Sequence, residues 1–324
     1  MERFDLETKT LEKAFNAVFH NNYKFTDFVS FNVDEEIKVF EVDGRKVFKT
    51  SDKYKAYLRF IDRVIFRHLA KNEKVSHAFV KGKSPLTAVQ AHTASKYFFL
   101  TDIKEFYSNI TCVDVLEVLS RDKQLIPISD FDEYIELIAK LTTIDGSLPV
   151  GLATSPKMSN AFLYEFDGVL DSYCTKNALS YTRYADDIII SGEQFSQLSS
   201  CKKTVQHYLN DYASDRMLIN ENKTLITQVG NKVKILGLII LPNGKITIDG
   251  KYKKKLELLL HFYTTDKNKF EDYLAQELKG KERSLFGLLH YAKSIDPNYL
   301  EKLQKKYGAY SLRYLMEDKW NDPR

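Results

Sequence analysis

Apolar side chains recur at helical spacing near the start of the chain. Leu11, Ala14, Phe15, Val18 and Phe19 share a face, which predicts helix within residues 1–30. Residues 41–49 read differently. Asp43-Gly44 is a turn dipeptide, and Val42, Val47 and Phe48 are strand formers, so a hairpin is expected. Residues 55–71 return to the helical period through Leu58, Ile61, Val64, Ile65 and Leu69, while Arg59, Arg63 and Arg67 fall four apart. Tyr97-Phe98-Phe99-Leu100 is a continuous apolar run leading to Asp102, the pattern of a buried strand. Two helices are predicted across 112–142, one from Ser155-Pro156 with Ser as its cap, and one across 195–212. Between the last two, Tyr181-Thr182-Arg183-Tyr184 and Ile188-Ile189-Ile190-Ser191 both favour extended backbone, so Ala185-Asp186-Asp187 forms the tip of a second hairpin. From Lys251 onward, four apolar faces at helical spacing run through Leu256, Leu259 and Leu260, Phe270 and Leu274, Leu285 and Leu289, and Leu300 and Leu303. The Lys251-Tyr252-Lys253-Lys254-Lys255 run precedes the first of them. Strands in the middle and helices at the end define an α+β chain.

Composition adds bounds. The 324 residues are enough for two or three subdomains, and a formal net charge of +4 does not by itself announce a nucleic-acid binder. Its distribution says more: residues 241–324 hold 17 Lys and Arg against 12 Asp and Glu, an excess suited to gripping a phosphate backbone. Cys112, Cys174 and Cys201 are scattered without metal-ligand spacing, which suits a reducing, cytoplasmic setting. Neither a signal-peptide pattern nor an apolar run of membrane-spanning length is evident, so no membrane partner is expected.

The chemistry concentrates at the second hairpin. Asp186 and Asp187 press like charges together at a strand-turn-strand tip, which costs free energy unless a cation sits there. A divalent ion such as Mg²⁺ takes oxygen ligands of this kind. A solvated turn is the plain alternative for an isolated Asp-Asp pair. A third acid, Asp102 at the end of its own apolar strand, favours the metal reading. Polymerases hold two metals about 4 Å apart, one activating a 3′-hydroxyl and one holding the triphosphate. Asp102 and Asp186 suit bridging such a pair, with Asp187 supporting and the Ile103 carbonyl as a further ligand.

On these residues the chain resembles reverse transcriptases over most of its length. Tyr184-Ala185-Asp186-Asp187 is similar to the family's metal hairpin, and Asp102 with Phe106 and Tyr107 to its first metal strand. Leu148-Pro149-Val150-Gly151…Ser155-Pro156 is similar to its template-and-nucleotide loop, with Val150 in place of Gln. Leu218-Ile219-Asn220-Glu221-Asn222-Lys223 and Lys234-Ile235-Leu236-Gly237-Leu238 resemble its next motif and its primer grip. The resemblance implies a right-hand polymerase with fingers 1–95, palm 96–240 and helical thumb 241–324. It implies RNA-templated DNA synthesis from dNTPs with two Mg²⁺ ions. Catalytic roles fall to Asp102, Asp186 and Asp187. Nucleotide contacts fall to Arg45, Lys46, Phe106, Tyr107, Pro149, Gly151 and Lys223, with Tyr107 as the aromatic ring beneath the sugar. Leu236 and Gly237 would be the primer grip, and Lys253, Lys254 and Lys255 an RNA-binding surface. The bacterial retron signature Asn-Ala-x-x-His is represented by Ala88, Val89 and His92, and its Val-Thr-Gly by Ile235-Leu236-Gly237. The expected setting is a defence-associated bacterial enzyme copying a dedicated structured non-coding RNA into DNA, with a separate effector protein and an oligomer left open. The alternatives are a retron enzyme making branched RNA–DNA, template-independent or protein-primed synthesis, and a non-catalytic RNA-binding scaffold.

Overall fold

The computed structural model describes residues 8–42, 45–230, 233–278 and 282–316. They fall into two compact units, Met1–Ser84 with Tyr97–Ile226, and Pro85–Lys96 with Thr227–Arg324.

The first unit opens with the helix Leu11–Phe19, capped by the Thr10 hydroxyl. Phe15 on that helix meets Phe19, Phe25, Phe28, Tyr57 and Phe60 at ring-centroid distances of 4.6 to 5.8 Å. Strands β1 (Ile37–Val42) and β2 (Arg45–Thr50) pair antiparallel with Val42 opposite Arg45, the register the Asp-Gly turn predicts. The helix Asp52–Val64 follows, with the Ser51 hydroxyl accepting from the Tyr54 N–H. It ends before Lys71, giving way to a tight turn over Phe66–His68. Arg59, Arg63 and Arg67 are exposed as their spacing predicts.

Strands β3 (Tyr97–Asp102), β4 (Ser180–Tyr184), β5 (Asp187–Gly192) and β6 (Leu225–Gln228) form the central sheet in the order β4-β5-β3-β6. Phe98, Phe99, Ile188, Ile189 and Ile190 are all at most 2 % exposed, so both faces of the sheet centre are covered. That is why these strands read as apolar runs rather than alternating ones. The helices Cys112–Asp122, Ile135–Thr142, Ser155–Phe162, Tyr164–Lys176 and Cys201–Tyr212 supply much of the cover. Two expectations change in detail. The helix expected across 195–212 breaks into Phe195–Leu198 and Cys201–Tyr212 at Ser199-Ser200, where the Ser199 hydroxyl bonds the Ser196 carbonyl. Ser155 is not a cap: it lies inside its helix, and its hydroxyl donates to the Pro149 carbonyl at 2.5 Å.

In the second unit, β7 (Val233–Ile235), β8 (Leu238–Ile240) and β9 (Ile246–Ile248) form a small antiparallel sheet. Leu236 and Gly237 connect β7 to β8 with φ of +51° and +80°, the left-handed pair that suits a two-residue hairpin loop. Helices follow at Gly250–Thr265, Lys267–Leu278, Glu282–Ile295, Pro297–Tyr307 and Ala309–Met316. The last was not anticipated, because its short sequence offers little apolar face beyond buried Leu312, and Tyr310 is exposed. The lysine run does not precede the first of these helices but forms its opening turns, behind the Asp249 cap. Positive charge there opposes the helix dipole. No helix among the described residues is long and apolar enough to cross a membrane.

Candidate active site

The site is built where β3 and β5 end together. Their ladder sets Asp102 opposite Asp187, and β4 sets Tyr184 opposite the same residue. Directly opposed residues lie about 4.5–5.5 Å apart and project from one face. Asp186 sits just outside the ladder, and its carbonyl accepts the Ile103 N–H at 3.1 Å. The predicted tip therefore contracts to the two residues Ala185-Asp186, flanked by the Tyr184–Asp187 pair. Ala185 adopts a left-handed φ of +56°. For a residue with a Cβ this costs roughly 1–2 kcal/mol, so other contacts must hold the tip.

A third segment closes the cluster from the side. Asn220 N–H donates to the Asp102 carbonyl at 2.8 Å, and Lys104 N–H to the Leu218 carbonyl at 2.8 Å. Thr224 and Thr101 share a hydroxyl–hydroxyl bond of 2.7 Å. These ties place Lys223, at the end of the tight turn Glu221–Lys223, with its Nζ 2.5 Å from Asp102 Oδ2. The Lys223 side chain is otherwise open to solvent, at 67 % exposure.

The electrostatics match three acids forced together. Burial raises the Asp187 carboxyl to about 6, with help from the charges of Asp186 and Asp102. Asp186 is raised by the same burial and by Asp102. Lys223 is raised by its hydrogen bond to Asp102. Asp102 is 4 % exposed, yet its Oδ1 is buried without a hydrogen-bond partner. An orphaned carboxylate oxygen beside two strained acids is the donor set a hard divalent cation fits. Among the described residues no three acidic, His or Cys side chains close on one metal position by themselves. An open set of this kind leaves room for ligands that arrive with the substrates.

Tyr107 lies beside the carboxylates, half-buried. Its hydroxyl is raised mainly by burial, eased by a hydrogen bond with Ser159, and feels the Asp186 charge. The buried Phe106 ring sits 5.2 Å from it. Gly151 (φ +97°), Leu152 and Ala153 line a separate cavity of about 370 Å³ with Lys49, Lys55 and Arg59. Of that basic trio, sequence reasoning singled out only Arg59. Pro149 anchors the same loop by accepting from Ser155. Lys46 is exposed and pairs with Asp145 at 3.2 Å; the Arg45 side chain lies outside the described residues. Leu236, Gly237, Lys253, Lys254 and Lys255 belong to the second unit. There Lys253 pairs with Asp296 at 3.4 Å and lies 4.5 Å from the Tyr299 ring centre, while Lys254 is exposed. Gly237 and Lys255 line a cavity of about 500 Å³ with Lys234, Lys251, Tyr252 and Tyr291. His92 is fully buried in that unit.

Sequence reasoning missed the polar group beneath the hairpin. Arg183 and Asp167 are both fully buried and meet through two bonds, Nε to Oδ1 at 2.8 Å and NH2 to Oδ2 at 2.6 Å. Nothing in the sequence couples a strand arginine to an acid sixteen residues earlier on a helix.

Three clustered acids at the end of a buried sheet, an adjacent cation and a nearby aromatic ring describe a nucleotidyl-transfer site of the palm-polymerase class. Comparison with known proteins sharpens this. Residues 44–240 match the family model described as reverse transcriptase (RNA-dependent DNA polymerase). The retron Ec83 reverse transcriptase of Escherichia coli is 26 % identical over 317 residues, covering 95 % of this chain and 96 % of that protein. The retron Ec73 reverse transcriptase, also from Escherichia coli, is 30 % identical over 276 residues, covering 81 % and 83 %. The chain belongs to the reverse transcriptases, and within them to the bacterial retron type. It is an RNA-directed DNA polymerase with a right-hand, α+β fold, which takes an RNA template and makes DNA. Ala88, Val89 and Ile235-Leu236 are thus departures from retron signatures inside the group. Enzymes of this fold work with divalent metal ions.

Proposed function

We propose that this reverse transcriptase copies one dedicated, structured non-coding RNA into DNA as part of a bacterial anti-phage system. The observation that carries the reading is the meeting of Asp102, Asp186 and Asp187 around an orphaned carboxylate oxygen, in a chain whose relatives over most of its length are retron enzymes. The parts follow as fingers 1–95, palm 96–240 and thumb 241–324.

Asp102, Asp186, Asp187 and the Ile103 carbonyl hold two Mg²⁺ ions in this reading. Bound there, the ions activate the primer 3′-hydroxyl and neutralise the charge developing on the triphosphate. The chain's own groups do the rest. Tyr107, backed by Phe106 and tied to Ser159, lies beneath the sugar and excludes a 2′-hydroxyl. Lys223, protonated at neutral pH, carries the charge and proton that leaving pyrophosphate needs. Gly151 lets backbone approach the base pair, beside Pro149. Lys46, with Arg45, reaches the triphosphate by releasing Asp145. Leu236 and Gly237 support the primer end.

The basic second unit is the proposed anchor for the RNA, since structured RNA is read largely through shape, phosphates and 2′-hydroxyls. A separate effector protein would respond to the DNA product. The test is to crosslink the protein to RNA in cells and sequence what is bound. One dominant structured transcript is expected; an even spread of unrelated transcripts would overturn the dedicated-template reading.

A further inference from the structure

Arg183 is withdrawn completely from water only three residues before Asp186. It does not pair with the candidate metal acids. Its guanidinium grips Asp167 with two bonds, and its remaining nitrogen, NH1, donates to the Ala185 carbonyl at 2.8 Å and to Asn160 Oδ1 at 3.2 Å. Each partner is fixed in turn. Asp167 accepts the Tyr181 hydroxyl at 2.7 Å. Asn160 accepts from the Ser76 hydroxyl at 3.0 Å and donates to the Ala78 carbonyl at 2.8 Å. The backbone of Arg183 is clamped as well, its N–H to the Val75 carbonyl and its carbonyl to the His77 N–H, both at 2.8 Å.

A buried ion pair is a poor way to gain stability, because apolar side chains of similar volume do as well or better. What this pair does that apolar groups could not is aim a donor at the carbonyl of Ala185, the one left-handed residue of the tip. Asn160 lies on the helix Ser155–Phe162, one residue after Ser159, which holds the Tyr107 hydroxyl. One helix therefore braces both the hairpin tip and the ring beside it.

We propose that Arg183 is a positioning residue that, pinned by Asp167 and Asn160, locks the Ala185 turn and thereby fixes Asp186 and Asp187 in metal-holding geometry. This rests on the reading of Asp102, Asp186 and Asp187 as the metal carboxylates.

The decisive variant is Arg183→Met with Asp167→Leu and Tyr181→Phe. It removes the charges and the orphaned hydroxyl together, so folding should survive within a few degrees of the wild-type melting temperature. Two readouts are taken on the full chain. The first is dNTP incorporation on a supplied RNA template with an annealed DNA primer. A fall in kcat of about tenfold or more is expected, with KM for dNTP changed far less. The second is Mn²⁺ binding without substrates, followed by electron paramagnetic resonance. About tenfold weaker binding is expected, as when groups that orient metal ligands are lost. Wild-type kcat, or lowered kcat with wild-type Mn²⁺ affinity, would overturn the proposal. Should the triple variant fail to fold, Arg183→Lys takes its place. It keeps the charge beside Asp167 but cannot reach Asp167, Asn160 and Ala185 together, and the same outcomes decide. Asp186→Ala with Asp187→Ala is the control. Wild-type Mn²⁺ binding by that control would refute the carboxylate assignment itself rather than the role of Arg183.

Discussion

Replacing Asp187 by Asn should destroy synthesis while making the metal-free protein more stable. In the folded chain its carboxyl is raised from 3.8 to about 6, by burial first and by the Asp186 and Asp102 charges second. Between those values the folded state holds a proton that the unfolded state has released. Stability is therefore lost as pH rises through that window, and the full penalty is present above it. Each pH unit of the interval is worth about 1.4 kcal/mol, which gives roughly 3 kcal/mol at pH 7.5. The side chain is half-buried, and solvent screening reduces this to about 1–2 kcal/mol. Asn keeps the shape and removes the charge. For a chain of this length each kcal/mol moves the melting temperature by about 2–4 °C, so Asp187→Asn should melt roughly 2–8 °C higher at pH 7.5 without metal. The gain should shrink by about half at pH 5, where the folded carboxyl is already mostly protonated. It should shrink or reverse in saturating Mg²⁺, which stabilises only the wild-type acid cluster. Differential scanning calorimetry with and without chelator makes the comparison. A variant that melts lower than wild type at pH 7.5 in chelator, or gains equally at pH 5, would refute the reasoning.

Two further outcomes follow from the site and the second unit. Tyr107→Val removes the ring held by Ser159 and should lower the dNTP-to-rNTP ratio of kcat/KM by about tenfold or more, read by single-nucleotide incorporation; an unchanged ratio would move the role to Phe106. Neutralising Lys253, Lys254 and Lys255 should weaken RNA binding and flatten its salt dependence by about two rather than three, since each phosphate contact adds about one to the slope and Lys253 is already engaged by Asp296.

The hairpin of acids was legible because strand propensity and charge point the same way there. Aromatic and β-branched residues flank a pair of acids that no core would accept unpaired. Asp102 was legible for the same reason, at the end of a run of apolar residues. Lys223 and Tyr107 were reachable only through the family resemblance, since nothing in their local sequence demands a site. Arg183 was written off as a strand residue, because its partner Asp167 comes from another element and only tertiary packing joins them. The sheet β7–β9 was too short to stand out beyond its hairpin-like Leu236-Gly237 turn. The lysine run was placed outside its helix because five polar or aromatic residues, four of them lysines, hide the start of the apolar period. The helical break at Ser199-Ser200 turns on local hydroxyl bonds that periodicity does not register.

The central claim is that Asp102, Asp186 and Asp187 carry RNA-templated DNA synthesis. The direct measurement is extension of a DNA primer annealed to a defined RNA template, with dNTPs and Mg²⁺, by the wild-type chain and by Asp186→Ala with Asp187→Ala. The account predicts templated extension by the wild type and none above background by the double variant, with folding and RNA binding unchanged. Wild-type extension by the double variant would contradict it.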